Sequence, residues 1–128
     1  MNTFVFALAF VIFLNITYWI SSYEKLFDFK GNLAWMQPHF ANSALKNVVP
    51  LALGILVVFE VLTAIFSAVG LFTLLYQNTP EYIIYANYLN LVCLFLMLIA
   101  QRLAKDFDGA RTIVLYLIPS LLALLFLN

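Results

Sequence analysis

The stretch VVPLALGILVVFEVLTAIFSAVGLFTLLY, residues 48–76, decides the fold of this chain. It contains one charged residue, Glu60, and it is long enough to cross a hydrocarbon core of roughly 30 Å as a helix that rises about 1.5 Å per residue. A carboxylate near the middle of a membrane span costs roughly 2.5–3.5 kcal/mol on insertion scales, so it usually faces the protein interior or a hydrated cavity. We therefore expect Glu60 either to hold a helix bundle together or to line a functional site.

The composition of the whole chain is that of a membrane protein. Of its 128 residues, 66% are hydrophobic and 9% are charged, whereas a soluble domain carries about 25% charged residues. So few charges cannot cover a water-facing surface, and residues 1–128 are expected to form a single membrane domain. The formal net charge is zero, which argues against nucleic acid as a partner because that partner requires a basic face.

Four apolar runs predict four membrane spans. Each run is about 17–29 residues long, which is enough for a helix to cross the bilayer. The first run lacks the basic start and the A-x-A cleavage site of a signal peptide, so we count it as a span. The predicted fold class is therefore all-α, an integral membrane four-helix bundle. The predicted spans cover residues 3–20, 48–76, 79–102 and 111–127.

The basic residues predict the orientation of the bundle. All six lie in the connection after the first span or in the connection after the third, and these two connections share one side of the membrane when four spans are threaded. The positive-inside rule makes that side cytoplasmic and places both termini outside. We expect a multi-pass protein of the inner, cytoplasmic membrane. The basic residues are Lys25, Lys30 and Lys46 in the first connection and Arg102, Lys105 and Arg111 in the second.

The one long connection, residues 21–47, mixes charges with aromatic side chains. This composition is typical of a segment that lies at the level of the lipid headgroups, here between helices 1 and 2. We expect Lys25 and Trp35 at this interface, together with Arg102 after the third span. The segment is interpreted as an interfacial linker, and the alternatives are a lid over a pocket between the helices or a docking surface for another subunit.

Polar residues recur on one face of the first three spans at steps of three or four residues. Glu60 and Asn90 each lie about ten residues, roughly 15 Å, from the proline near the start of their helix. The two helices enter from opposite sides, so we expect both residues near the midplane and Asn90 as the first partner of Glu60, with Asn15 and Tyr18 as further candidates. The predicted ligand-binding or bundle-clasping residues are Glu60, Asn90, Asn15, Tyr18, Thr63 and Asn87.

Three interpretations of this polar face stay open at this point. It is a polar clasp within the bundle, a pocket for an amphipathic ligand such as a quinone or a lipid, or a proton path. One interhelical polar contact is worth about 0.6–2 kcal/mol and does not offset a charged carboxylate, so Glu60 is expected to be neutral or to reach water. A proton path usually needs several ionisable groups, and we identify only Glu60 in the spans.

The chain has one cysteine, Cys93, and one histidine, His39. A single cysteine cannot form an internal disulfide or a CxxC redox pair, and metal sites need clustered ligands. No motif for flavin, haem or iron–sulfur ligation occurs either. We therefore predict no metal site, no catalytic residues and no intrinsic cofactor.

Two segments resemble DoxX-like membrane proteins. These are SSYEKLFDF at residues 21–29 and AQRLAKDFDGA at residues 100–110, and the acid of the second span followed by small residues and Gly70 adds to the likeness. The resemblance covers nearly the whole chain and implies four helices and a small membrane subunit linked to a quinone-dependent oxidoreductase. Related families include chaperones, sterol-binding proteins and a protein linked to thiol oxidation, but a single cysteine argues against thiol chemistry here.

The expected function is that of a non-catalytic small subunit of a larger inner-membrane complex, respiratory or otherwise linked to quinone redox chemistry. Its expected partners are other integral membrane subunits and lipid. The alternative is a stand-alone DoxX-like protein that binds a quinone or a lipid between its helices near Glu60. A self-contained enzyme is disfavoured, because no catalytic constellation occurs in the sequence.

Overall fold

The fold is all-helical, as predicted. A computed structural model describes residues 3–127, and in this range it contains five helices and no strand. Four of the helices are long and apolar enough to cross a membrane, which confirms the four predicted spans. The helices are α1 (Thr3–Phe27), α2 (Phe29–His39), α3 (Val49–Gln77), α4 (Glu81–Leu103) and α5 (Phe107–Leu127).

Two of the helices extend beyond the predicted spans, which followed the apolar runs. The first span was expected to end at residue 20, but α1 continues to Phe27 because the stretch 21–27 contains neither glycine nor proline. The last span was expected to begin at residue 111, but α5 begins at Phe107 with Asp108 in its first turn, where an acid interacts favourably with the helix dipole. The middle two spans agree with prediction to within two residues.

The connection after α1 is shorter than predicted and is partly helical. It begins at residue 28 rather than 21, because residues 21–27 belong to α1. The short helix α2 buries none of its residues, and His39 at its end lies 3.1 Å from Oε1 of Gln101 and 3.3 Å from Oδ2 of Asp106. These contacts place the two basic connections at the same end of the bundle, here named the basic end. The assignment of this end to the cytoplasm stays a prediction.

Helix α3 is the centre of the bundle and packs against both α1 and α4, while α5 packs against α4. Asn78 ends α3 in the left-handed conformation (φ 51°), and its N–H donates to the carbonyl of Leu74. This C-cap reverses the chain within a few residues, so α3 and α4 form a tight antiparallel pair. Near the turn, Gly70 allows a close approach: a Cβ at this position would lie 2.9 Å from Cγ1 of Ile83.

Helix α1 packs against α5 through aromatic side chains toward the end opposite the basic end. The ring centroids of Phe6 and Phe126 lie 5.6 Å apart, and those of Phe13 and Tyr116 lie 5.9 Å apart. Beyond Phe13, toward Lys25, α1 and α4 line a cavity. The aromatic packing at one end therefore positions an opening between the helices at the other.

Candidate functional site

A cavity lies between α1 and α4. It has a volume of about 420 Å³, within the usual range of roughly 300–1,000 Å³ for a site that holds a small molecule. It follows α1 from Phe13 to Lys25, a distance of about 18 Å along a helix. The cavity is therefore long and narrow, and it extends from the basic end into the apolar part of the bundle. Its apolar wall consists of Phe13, Ile16, Ile20, Leu94 and Met97.

A buried ion pair lines this cavity. Glu60 is only 1% exposed, and its Oε2 lies 3.2 Å from Nζ of Lys25. The hydroxyl of Ser21 lies 3.2 Å from both carboxylate oxygens and donates to them, and Nζ of Lys25 donates to Oγ of Ser21 at 2.6 Å. The lysine supplies the compensating charge that a single polar contact could not supply. We call Ser21, Lys25 and Glu60 the charged cluster.

Asn90 does not bond Glu60, so that predicted pairing is wrong. The prediction counted depth from the start of each helix, but α3 has 29 residues and α4 has 23. The extra length of α3 lies at the basic end, because the other ends of the two helices are joined by a short turn. Thr63 Oγ1 lies 3.8 Å from Cys93 Sγ, and this antiparallel register puts Glu60 about 9 Å nearer the basic end than Asn90.

Asn90 instead belongs to a separate and closed network that joins α1, α4 and α5. Its amide nitrogen donates to Oδ1 of Asn87 at 3.0 Å and to Oγ of Ser120 at 2.7 Å, and its Oδ1 accepts from the hydroxyl of Tyr18. The amide of Asn87 donates to the backbone carbonyl of Ser120 at 3.0 Å. All four side chains are buried. We call these four residues the polar clasp, and its satisfied hydrogen bonds indicate a structural role.

The remaining predicted residues satisfy backbone groups or lie at the basic end. The amide of Asn15 donates to the carbonyls of Val11 and Ser67, and Thr63 donates to the carbonyl of Phe59 at 2.7 Å. Trp35 is 62% exposed on α2, and the guanidinium of Arg102 lies 4.9 Å from the ring centroid of Phe107. Of the six predicted site residues, Glu60, Asn90 and Tyr18 line the cavity.

Ser21 and Lys25 were missed as site residues, although the sequence contained a signal for them. Lys25 was expected at the interface, yet its side chain is 19% exposed and turns inward to Glu60. Leu14 and Tyr18 lie on the buried face of α1, and continuing their spacing in steps of three and four residues reaches Ser21 and Lys25. The signal was lost because the helix was expected to end at residue 20.

Comparisons with known proteins do not identify a relative. No protein-family model matches the chain, and no curated protein and no solved structure is significantly similar to it. Within residues 3–127, no group of three His, Cys, Asp or Glu side chains comes together as a metal site would require. The cavity and its charged cluster are therefore the features that bear on function.

Proposed function

We propose that the protein binds an amphipathic molecule, a quinone or a lipid, in the cavity between α1 and α4. The observation that carries this proposal is that the charged cluster lines the cavity, while the apolar wall continues beyond it toward Phe13. A polar end joined to an elongated apolar wall is complementary to a molecule with a polar head and an apolar body. Sites of this kind combine a mostly apolar lining with a few polar groups that orient the ligand.

The energetics of the charged cluster support a role in binding. A buried ion pair is weak support for a fold, because well-packed apolar side chains of similar volume often give equal or greater stability. Lys25 and Glu60 join α1 to α3. The amide of Asn15 also joins these two helices, by an uncharged hydrogen bond to the carbonyl of Ser67. The polar clasp joins α1 to α4 and α5. Uncharged groups therefore already connect the helices, and ionisable residues inside membrane segments commonly mark ligand or ion pathways.

Glu60→Gln is expected to weaken ligand binding by about tenfold, since one charge-assisted hydrogen bond is worth roughly 1.5–3 kcal/mol. The measurement is a titration of the purified protein in nanodiscs with a short-chain quinol and with a fluorescent lipid analogue that carries a free hydroxyl, since both can donate to the carboxylate. Glu81→Gln is the matched control, because it removes an exposed carboxylate from the first turn of α4, away from the cavity. Equal affinity of the Glu60→Gln and Glu81→Gln proteins for both ligands would contradict the proposal.

A role as a small subunit of a larger inner-membrane complex, respiratory or otherwise redox-linked, is the second candidate. It is favoured by α2, whose eleven residues are all at least partly exposed and include the largely exposed Trp35. Such a surface suits a neighbouring subunit as well as lipid headgroups, and the resemblance to DoxX-like proteins points the same way. Extraction in a mild detergent is expected to recover the chain together with other membrane subunits. Recovery of the chain alone, across several mild detergents, would remove this candidate.

A further inference from the structure

We infer that the cavity selects an uncharged ligand whose head is a hydroxyl group, such as a long-chain alcohol or a quinol, and disfavours anionic heads. This inference rests on the proposed function and specifies the chemistry of the ligand. The hydroxyl is placed at Glu60 in the charged cluster, and the apolar body extends along α1 toward Phe13.

The charges around the cavity do not suit an anion. Three charged side chains line it, Glu24, Lys25 and Glu60, so its formal charge is negative. The one positive group is already engaged, because Nζ of Lys25 contacts both carboxylate oxygens of Glu60 at 3.2 and 3.3 Å. A phosphate or carboxylate head would approach two carboxylates and an ammonium that is already paired. Charge complementarity therefore favours an uncharged head.

The unused hydrogen-bonding capacity distinguishes a hydroxyl from a carbonyl. An ammonium has three N–H donors. That of Lys25 donates to Oγ of Ser21 and to Oε1 of Glu60, and its Nζ lies 3.2 Å from Oε2 of Glu60 in the ion pair. A carboxylate offers about four acceptor positions, of which Ser21 and Lys25 occupy only part. Within the charged cluster, the group free to bond a ligand is therefore an acceptor on Glu60. A ligand hydroxyl can donate to it, whereas a ligand carbonyl cannot.

The position of Glu60 sets the orientation of the ligand. The carboxylate is level with Ser21, and the apolar wall runs from Ile20 through Ile16 to Phe13, away from the basic end. This wall is about 12 Å long from Ser21 to Phe13. A ligand with its hydroxyl at Glu60 would thus place its apolar body in the core of the bilayer, where an aliphatic chain or an isoprenoid tail is already solvated.

The test compares three probes that share one aliphatic chain, bound to the wild-type protein in phosphatidylcholine nanodiscs. The probes are 1-hexadecanol, its methyl ether and hexadecanoate, and the pH is one at which the carboxyl group of hexadecanoate is ionised. The affinity of each probe is measured by its competition with tritiated hexadecanol. The ether is expected to bind about tenfold more weakly than the alcohol, because it cannot donate a hydrogen bond to the charged carboxylate. Hexadecanoate is expected to bind more weakly still.

A second pair of probes distinguishes an aromatic hydroxyl from an aliphatic one. A decyl-substituted benzoquinol and its quinone have the same body but differ in donating or accepting groups, and the quinol is expected to bind about tenfold more tightly under anaerobic conditions. Tighter binding of the quinol than of hexadecanol supports an aromatic diol as the ligand, and the reverse order supports an aliphatic alcohol. Equal affinity of quinol and quinone overturns the inference.

Glu24→Gln tests the effect of charge on ligand binding without disturbing the fold, because this residue is exposed at the basic end. It is expected to raise the affinity for hexadecanoate by about threefold, within the range for one exposed charge, and to change the affinity for hexadecanol by less than that. If the alcohol, ether and acid bind equally and Glu60→Gln weakens all three, the proposed function stands and the hydroxyl inference is overturned. If no probe binds, both are overturned.

Discussion

Lys25→Met is expected to lower the free energy of unfolding by about 3 kcal/mol, and Glu60→Gln to lower it by much less. The two losses of stability differ because Glu60 and Lys25 lie at different depths in the bundle. Loss of Lys25 leaves the carboxylate of Glu60 unpaired at 1% exposure, deep in α3. Loss of the Glu60 charge leaves a lysine in the last turn of α1, from which its long side chain can extend to water at the basic end. Reversible unfolding in mixed micelles, followed by circular dichroism, measures both.

Two further variants make this prediction specific. Lys46→Met removes an exposed lysine from the same end of the bundle and is expected to change stability by less than about 0.5 kcal/mol. The double variant Lys25→Met/Glu60→Met is expected to recover most of the stability lost by Lys25→Met, because it removes both charges and fills the space with apolar groups. A double variant less stable than Lys25→Met alone would show that the charges are not coupled.

Gly70→Ala is expected to lower the free energy of unfolding by about 1–3 kcal/mol, the usual range for forcing extra volume into a packed contact. The added Cβ would lie 2.9 Å from Cγ1 and 3.1 Å from the backbone nitrogen of Ile83. Ile83 is fully buried, and its backbone belongs to α4, so α3 and α4 must move apart. The same unfolding measurement applies.

Gly54→Ala is the matched control for this substitution, because it adds the same methyl group to the same helix. Nothing lies within 4 Å of a Cβ at Gly54, and alanine is the better helix former by up to about 1 kcal/mol. Gly54→Ala is therefore expected to leave stability unchanged or to raise it. If both alanine variants lose stability equally, the close approach of α3 and α4 at Gly70 is not the cause.

The stability and binding predictions together separate two roles of the charged cluster. If Lys25 and Glu60 serve the ligand, the Lys25→Met/Glu60→Met protein is expected to fold and to bind hexadecanol poorly. The polar clasp provides the contrast, because Asn90 is satisfied by Tyr18, Asn87 and Ser120. Asn90 lines the cavity, but its side chain has little hydrogen-bonding capacity left for a ligand.

The fold was largely predictable, and the site was predictable only in part. Four spans follow from four apolar runs, since membrane insertion depends on the summed hydrophobicity of each segment and not on its neighbours. The importance of Glu60 follows from the cost of a carboxylate in a span. The partner of Glu60 could not be predicted from the sequence. Helix periodicity places a residue on one face of its helix, but it does not determine the axial register between two helices.

The sequence by itself determined the number of spans, their helical state and the presence of one costly carboxylate, because these are local properties of hydrophobicity and charge. Only the tertiary structure decided that Glu60 meets Lys25 rather than Asn90. That choice depends on the extension of α1 to Phe27 and on the axial register of α1 and α4 against α3. The register is set by contacts between residues far apart in the chain, such as Gly70 with Ile83 and Tyr18 with Asn90, and these contacts form only when the helices pack.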